Sequence, residues 1–353
     1  MKTVQNPFRG TGISHPDLDA MPEISTDAAA PRGLLARCPT YAPTPLVDAG
    51  EIAKELGVEK LWIKDESDRM GLGSFKALGA AYVLAHKAAA SGAEDLLTAL
   101  AGQTYVTASA GNHGLSVAAG ANVFGAKAVV YLAAAVPEAF AERLRAKGTT
   151  VVREGHDYET SMDGAKKAAI DNGWTLLSDS SWSGYSEIPH RLMEGYLAMA
   201  DEAIQELDEA PTHVFLQAGV GGLAGAVAAL VRKAWGDAPT IIVVEPIFAP
   251  ALQASIEAGR SVVADGPTSG MGRLDCKEPS LIALKGLSKD ADHFQTISEE
   301  DSEAILTPLA ASGFSSTASG AAGIAGLGLA AKSGCYGDLS GARVLTFLSE
   351  GPE

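Results

Sequence analysis

Lys76 ends the run Gly71-Leu72-Gly73-Ser74-Phe75-Lys76 and leads into residues 77–90, an alanine-rich stretch that predicts a helix with Ser74 as its N-cap. A lysine in a first helical turn faces the positive end of the helix dipole. That placement disfavours the ammonium and makes it easier to deprotonate, and a neutral amine can attack an aldehyde to form a Schiff base. A solvated surface lysine is the ordinary alternative, and this loop alone leaves both readings open.

Two further loops punctuated by small residues follow predicted strands and open predicted helices, which is where open α/β sheets bind ligands. In Ser109-Ala110-Gly111-Asn112-His113-Gly114 the small side chains let backbone N–H groups approach an anion such as a substrate carboxylate. Asn112 both donates and accepts, so it can orient a ring hydroxyl or a carbonyl. His113 reads as a capping or packing residue. The loop Gly219-Val220-Gly221-Gly222-Leu223-Ala224-Gly225 reads as an anion cradle at a helix start, with phosphate the usual guest. It also satisfies a dinucleotide fingerprint (Gly219-x-Gly221-x-x-Ala224), and Glu245 ends the next strand about 20 residues on, where an acid would take a ribose. A nicotinamide-dependent oxidoreductase using the Gly219 loop is therefore the rival from a different class, although it accounts for one loop of three.

Asp179 begins Asp179-Ser180-Ser181, which is ordinary turn chemistry. It is equally a carboxylate able to stabilise a β-ammonium or to protonate a poor leaving group. Arg273 and Lys277 are candidates to bind an acidic substrate group, with solvated charges the plainer reading. Asp65 and Glu66 read as structural acids.

The elements that must position these loops alternate along the chain. β-Branched runs at 104–108, 128–132, 149–153 and 174–178 are separated by helical patterns at 113–124, 139–147 and 158–170. This βα repeat implies parallel strands with crossover helices. A second set follows, with helices at 194–207 and 222–232 and strands at 213–216, 240–244 and 344–348; residues 61–63 are expected to join the same sheet. The expected architecture is α/β with two open parallel-sheet domains. A small βα domain, 85–189, is inserted in a larger discontinuous one, 1–84 with 190–353.

Composition narrows the function. The chain has 353 residues, 27 Lys and Arg against 43 Asp and Glu, and a formal net charge of −16, which gives no footprint for nucleic acid or an anionic membrane. Hydrophobic residues make up 46% and charged ones 20%, a folded composition. Cys38, Cys276 and Cys335 lie far apart, which argues against a disulfide framework and a cysteine-rich zinc site. The apolar run 214–231 is cut by four glycines, and Gln217 interrupts it, so it reads as strand, loop and helix and not as a membrane span. The N-terminus has no apolar leader, and the expected location is cytoplasmic.

Taken together, the loops resemble the pyridoxal-phosphate enzymes of the tryptophan-synthase β fold, known as fold type II. The resemblance covers almost the whole chain and implies pyridoxal 5′-phosphate as the cofactor. It implies that Lys76, in Ser74-Phe75-Lys76, is the Schiff-base lysine, and that residues Ser109, Ala110, Gly111, Asn112 and His113 hold the substrate carboxylate. Asn112 would also meet the cofactor O3′. Gly219, Val220, Gly221, Gly222 and Leu223 would bind the phosphate, and Ser319 in Ala318-Ser319-Gly320-Ala321 would face the pyridine nitrogen.

Within that family the chain looks most like the diaminopropionate ammonia-lyases, through Phe75-Lys76-Ala77-Leu78-Gly79, Gly111-Asn112-His113-Gly114, the region 179–196, Pro211 to Gly221, Glu245-Pro246 and Ser349-Glu350-Gly351. Ala110 departs from that pattern, and Ser109 to His113 instead looks like the threonine and serine dehydratases; the extra charge in Met271-Gly272-Arg273-Leu274-Asp275-Cys276-Lys277-Glu278-Pro279 is a second departure and implies a different side chain at the substrate's far end. The implied activity is α,β-elimination from a small β-substituted L-amino acid to a 2-oxo acid and ammonia, with catalytic Lys76 and Asp179. A serine/threonine-type or 3-hydroxy-amino-acid dehydratase is the alternative within the fold. A homodimer is also implied.

Overall fold

The computed structural model describes residues 1–352. Among them eleven strands form two sheets: β1 (Lys2–Gln5), β2 (Leu46–Asp48), β3 (Lys60–Asp65), β4 (Thr104–Ala108), β5 (Lys127–Leu132), β6 (Thr150–Arg153), β7 (Thr175–Leu176), β8 (His213–Gln217), β9 (Thr240–Pro246), β10 (His293–Ile297) and β11 (Arg343–Leu348). The larger sheet runs β1-β10-β9-β8-β11-β3-β2, and the smaller β6-β5-β4-β7. Only the edge strands β1 and β2 pair antiparallel; every other pairing is parallel.

The central strands show why. Ile241, Ile242, Val243 and Val244 of β9 are buried on both faces, as are Val214, Phe215 and Leu216 of β8. Continuous apolar runs of this kind suit a parallel sheet covered by helices on both sides. The smaller sheet lies wholly between β3 and β8 in the chain, so it is an insertion in the larger unit, as expected. β7 keeps only two of the five residues read as strand, Thr175 and Leu176, and the Leu177 N–H still meets Val106 O of β4.

Seven helices frame the site: α1 (Lys76–Ala90), α2 (Asn112–Val123), α3 (Tyr158–Asn172), α4 (Glu187–Glu206), α5 (Gly222–Trp235), α6 (Ala251–Ala258) and α7 (Ala322–Ser333). Helix α1 is clasped by α4 through two glycines. A Cβ at Gly195 would stand 2.5 Å from Leu78 O, and one at Gly79 would stand 2.7 Å from Tyr196 Cε1. Neither position admits a larger residue unless the helices part.

Ahead of α1 lies a buried ionic cluster. Arg69 is fully buried and holds Glu66 at 2.7 Å and Glu202 of α4 at 2.6 Å, while Lys64 Nζ meets Glu202 at 2.9 Å. Thr44 and Tyr41 add hydroxyl hydrogen bonds to Glu66 and Glu202. Glu66 is thus a structural acid, and the cluster fixes the turn from which the Lys76 loop departs.

Ser74 does not cap α1. The residue before the helix is Phe75, with no side-chain cap. The loop is pinned instead by the end of β11, through Phe75 N–H to Ser349 O and Gly351 N–H to Gly73 O. Those bonds turn the Ser74 hydroxyl into a buried position without a hydrogen-bond partner among the described residues.

Candidate active site

Lys76, the first residue of α1, comes from the larger unit, and Asp179 follows β7 in the smaller one. Their side chains meet across the cleft, Nζ to Oδ2, at 2.5 Å. Burial favours the neutral amine, but the Asp179 charge outweighs it, and the lysine is held above its ordinary range. The expectation of an easily deprotonated Lys76 is therefore corrected: the helix dipole is present, but a carboxylate in direct contact is the stronger field. Asp179 is the mirror image. Burial raises its pKa, yet the Lys76 ammonium brings it well below the usual carboxylate range. The Lys76 ammonium also lies 5.2 Å from the Phe75 ring and 5.9 Å from the Tyr196 ring.

The loop Ser109 to His113 lines the same cleft. Ser109 Oγ accepts from the N–H groups of Gly111 (3.3 Å) and Gly114 (3.1 Å), so it caps α2 from behind and keeps its own proton to donate. Asn112 Nδ2 donates to Glu350 Oε2 at 2.5 Å. His113 is buried with Nε2 2.9 Å from Leu177 O, which makes it a packing residue, as expected.

The Gly219 loop forms the start of α5. Gly221 has φ +96°, a left-handed turn that glycine adopts without strain. No side chain caps this helix, and the first N–H groups of a helix have no partner inside it. A Cβ at Gly219 would lie 3.0 Å from Cys276 Sγ and 3.1 Å from Leu274 Cα. The result is a tight cradle of N–H groups suited to a phosphate.

Ser319 is placed by Gln217, the polar residue that interrupts the apolar run of β8. Gln217 Nε2 donates to Gly320 O and Phe347 O, both at 2.9 Å. Ser319 Oγ accepts the Arg273 N–H at 3.3 Å. With a lone pair so engaged, the hydroxyl has a proton to offer to an acceptor such as an unprotonated ring nitrogen.

Other expectations change here. Glu245 does not face a ribose: its carboxylate accepts from Leu252 N–H (2.7 Å) and Gln253 N–H (2.8 Å), capping α6. Burial pushes its carboxyl up to about 8 in spite of those two bonds. The nicotinamide reading thereby loses its acid. Lys277 is likewise engaged, donating to Phe248 O and Pro267 O and pairing with Asp275 at 2.7 Å, whereas Arg273 lies in the cleft.

Sequence reasoning missed Glu350, Cys276 and Tyr158. Burial, then the Asp179 charge, pushes the Cys276 thiol up to about 12, so it stays protonated and unreactive. Tyr158 is half exposed as a residue, yet burial of its hydroxyl and the Asp179 charge raise it well above the ordinary phenol. Only the Ser-Glu-Gly resemblance at 349–351 pointed toward Glu350.

The four clusters fit pyridoxal phosphate. A half-buried lysine, an N–H cradle, a hydroxyl with a proton to give and an asparagine surround one cleft. Comparison agrees: residues 38–350 match the family described as pyridoxal-phosphate dependent enzyme. The chain is 37% identical over 268 residues to a diaminopropionate ammonia-lyase of Salmonella typhimurium, covering 70% of this chain and 66% of that protein. It is 34% identical over 280 residues to the Escherichia coli protein of the same name, covering 75% and 70%. The crystal structure of the Escherichia coli enzyme in complex with D-serine superposes with a TM-score of 0.85 at 29% identity, over 99% of this chain and 93% of that one.

Proposed function

The chain belongs to the pyridoxal-phosphate dependent enzymes, and on that premise we propose that it is an ammonia-lyase catalysing α,β-elimination from a small β-substituted amino acid. The observation that carries this reading is the 2.5 Å contact between Lys76 and Asp179 at the cleft. When bound, the cofactor supplies an electron sink for negative charge at the substrate Cα.

The residues supply the rest. Lys76 Nζ holds the cofactor and, once released as a neutral amine, takes the Cα proton. Asp179, an unprotonated carboxylate, steadies a β-ammonium. A β-ammonium carries its own proton and departs as neutral ammonia; for a hydroxyl leaving group, the proton that Nζ takes from Cα passes to the departing oxygen, which leaves as water, while Asp179 holds Nζ in place through their short contact. Ser109 offers its hydroxyl proton, and Gly111, Asn112 and His113 present a helix start, to the α-carboxylate; Ala110 leaves that wall without a competing charge. Gly219, Val220, Gly221, Gly222 and Leu223 hold the phosphate through backbone N–H groups. Ser319, a neutral donor, leaves the ring nitrogen a weaker sink than a carboxylate partner would, which favours prompt elimination. Hydrolysis of the released enamine yields a 2-oxo acid and ammonia.

The same reading divides the chain into 1–84 with 190–353 and the inserted 85–189. It places the enzyme in the cytoplasm as a homodimer. No helix of the described residues is long and apolar enough to cross a membrane.

The test is release of 2-oxo acid and ammonia from L-2,3-diaminopropionate, serine, threonine and 3-hydroxyaspartate by the cofactor-loaded protein. Turnover on at least one of these is expected, with Lys76→Ala reducing it by three orders of magnitude or more. Full turnover in that variant refutes the assignment.

A further inference from the structure

The ring of Tyr196 is wedged between the first turns of the two helices that carry Lys76 and the Gly219 cradle. Tyr196 stands on α4, and its side chain meets Gly79 of α1 on one edge and Gly222, the first residue of α5, on the other. A Cβ at Gly79 would be 2.7 Å from Cε1, and one at Gly222 would be 3.4 Å from Cε2. Both of those atoms flank the carbon that bears the hydroxyl, so the polar end of the ring is the end inserted between the helices. The Phe75 ring packs on it with centroids 4.8 Å apart, and Lys76 Nζ lies 5.9 Å from its centroid.

Tyr196 is 1% exposed, and its hydroxyl has no hydrogen-bond partner among the described residues. Burial pushes the phenol well above its ordinary range. The Lys76 charge pulls against that without forming a hydrogen bond, because the ammonium is committed to Asp179 at 2.5 Å. The hydroxyl therefore keeps its proton and is a donor with no acceptor in reach. A buried hydroxyl in that state carries its full desolvation penalty, and native proteins leave few of them without a reason in function.

The chemistry of a fitting acceptor is constrained by its surroundings. It must sit at the N-terminal end of α5, where unpaired backbone N–H groups favour an anion. A phosphate ester brings three terminal oxygens, enough to take several N–H groups and a side-chain hydroxyl together. A phenol suits the position because it adds a donor and no charge that would need a counterion when the cradle is open. We propose that the Tyr196 hydroxyl donates a hydrogen bond to the phosphate of pyridoxal 5′-phosphate, as the side-chain member of a cradle otherwise built from backbone. The proposal rests on the cofactor and not on which amino acid is the substrate. It gives α4, the helix that clasps α1, a direct part in retaining the cofactor.

The experiment takes the full chain stripped of cofactor, as wild type and Tyr196→Phe, and titrates each with pyridoxal 5′-phosphate and with pyridoxal. The two aldehydes share the ring and the Schiff-base chemistry, and pyridoxal lacks the phosphate. Tyr196→Phe is expected to weaken binding of pyridoxal 5′-phosphate by about tenfold or more and binding of pyridoxal by less than about twofold, because only the former loses a charge-assisted hydrogen bond. Phosphorus NMR of the loaded proteins should show a different chemical shift for the bound phosphate in the variant. Without cofactor, Tyr196→Phe should melt at or above the wild-type temperature, since the hydroxyl it lacks has no partner there. Unchanged affinity for pyridoxal 5′-phosphate overturns the proposal. So does an equal loss for both aldehydes, which would tie the hydroxyl to Lys76 or to packing, and so does a cofactor-free variant that melts well below wild type. A wild type that forms no Schiff base with either aldehyde refutes the cofactor assignment itself, and the proposal with it.

Discussion

At the scale of single residues, charge across the cleft decides how Lys76 behaves. Read alone, a lysine at a helix start should lose its proton easily; in the fold, a partner 103 residues away reverses the sign. This gives a direct prediction. Replacing Asp179 with Asn removes the charge that holds the ammonium and leaves burial to act alone, so the Lys76 pKa falls. Reductive methylation of Lys76 in cofactor-free protein, followed across pH by mass spectrometry, should show its midpoint at least one pH unit lower in Asp179→Asn than in wild type. An unmoved midpoint would mean that the carboxylate does not govern the lysine. The resemblance singled out Asp179, but its pairing with Lys76 was not legible in the sequence, where Asp179-Ser180-Ser181 also reads as an ordinary turn. Ser74 failed as a cap for a similar reason: the bonds that orient its loop come from Ser349 and Gly351 at the far end of the chain.

At the scale of elements, the insertion was readable because its strands are unbroken β-branched runs and its helices stop at glycines; Gly173, for instance, ends α3 with φ +66°. The edge strands β1 and β2 were not readable. β1 is short and largely exposed and β2 is only three residues long, two of them half-buried, so neither the period-2 nor the continuous apolar pattern marks them. β10 was hidden by Gln295 and Thr296, polar residues buried within the sheet, where Gln295 is satisfied by donating to Gly326 O. The ionic cluster beneath the Lys76 loop joins β3 to α4, and its loss should be costly. Glu202→Gln leaves Arg69 and Lys64 with less than their full countercharge, and unpairing a buried ion costs about 3–5 kcal/mol. Burial raises the Glu202 pKa, but Arg69 brings it below its ordinary range. Its contribution is therefore present above the ordinary glutamate pKa of about 4.3 and is lost as pH falls through the folded value. Urea unfolding of Glu202→Gln should show lower stability at neutral pH and a shallower decline on the acid side. Unchanged stability would mean that the cluster is not a support of this loop.

At the scale of the whole molecule, the site exists only where the two sheets face each other. Lys76, the Gly219 cradle and Ser319 belong to the larger unit, whereas the Asn112 loop and Asp179 belong to the inserted one. Lys76 to Asp179, Asn112 to Glu350 and Arg273 to Gly111 are contacts that cross this division and hold the two sides of the cleft together. The order of the loops along the chain was legible early because each follows a strand end in a βα unit. Their convergence depends on the insertion and on the return of α4 against α1.

The central claim is that Lys76 carries the cofactor. The most direct measurement is borohydride reduction of the protein purified with pyridoxal phosphate, followed by peptide mapping. The account predicts that the absorbance near 410–420 nm disappears and that one pyridoxyl group is found on the peptide containing Lys76. No such absorbance, or a pyridoxyl group fixed on another lysine while Lys76 is unmodified, would contradict it.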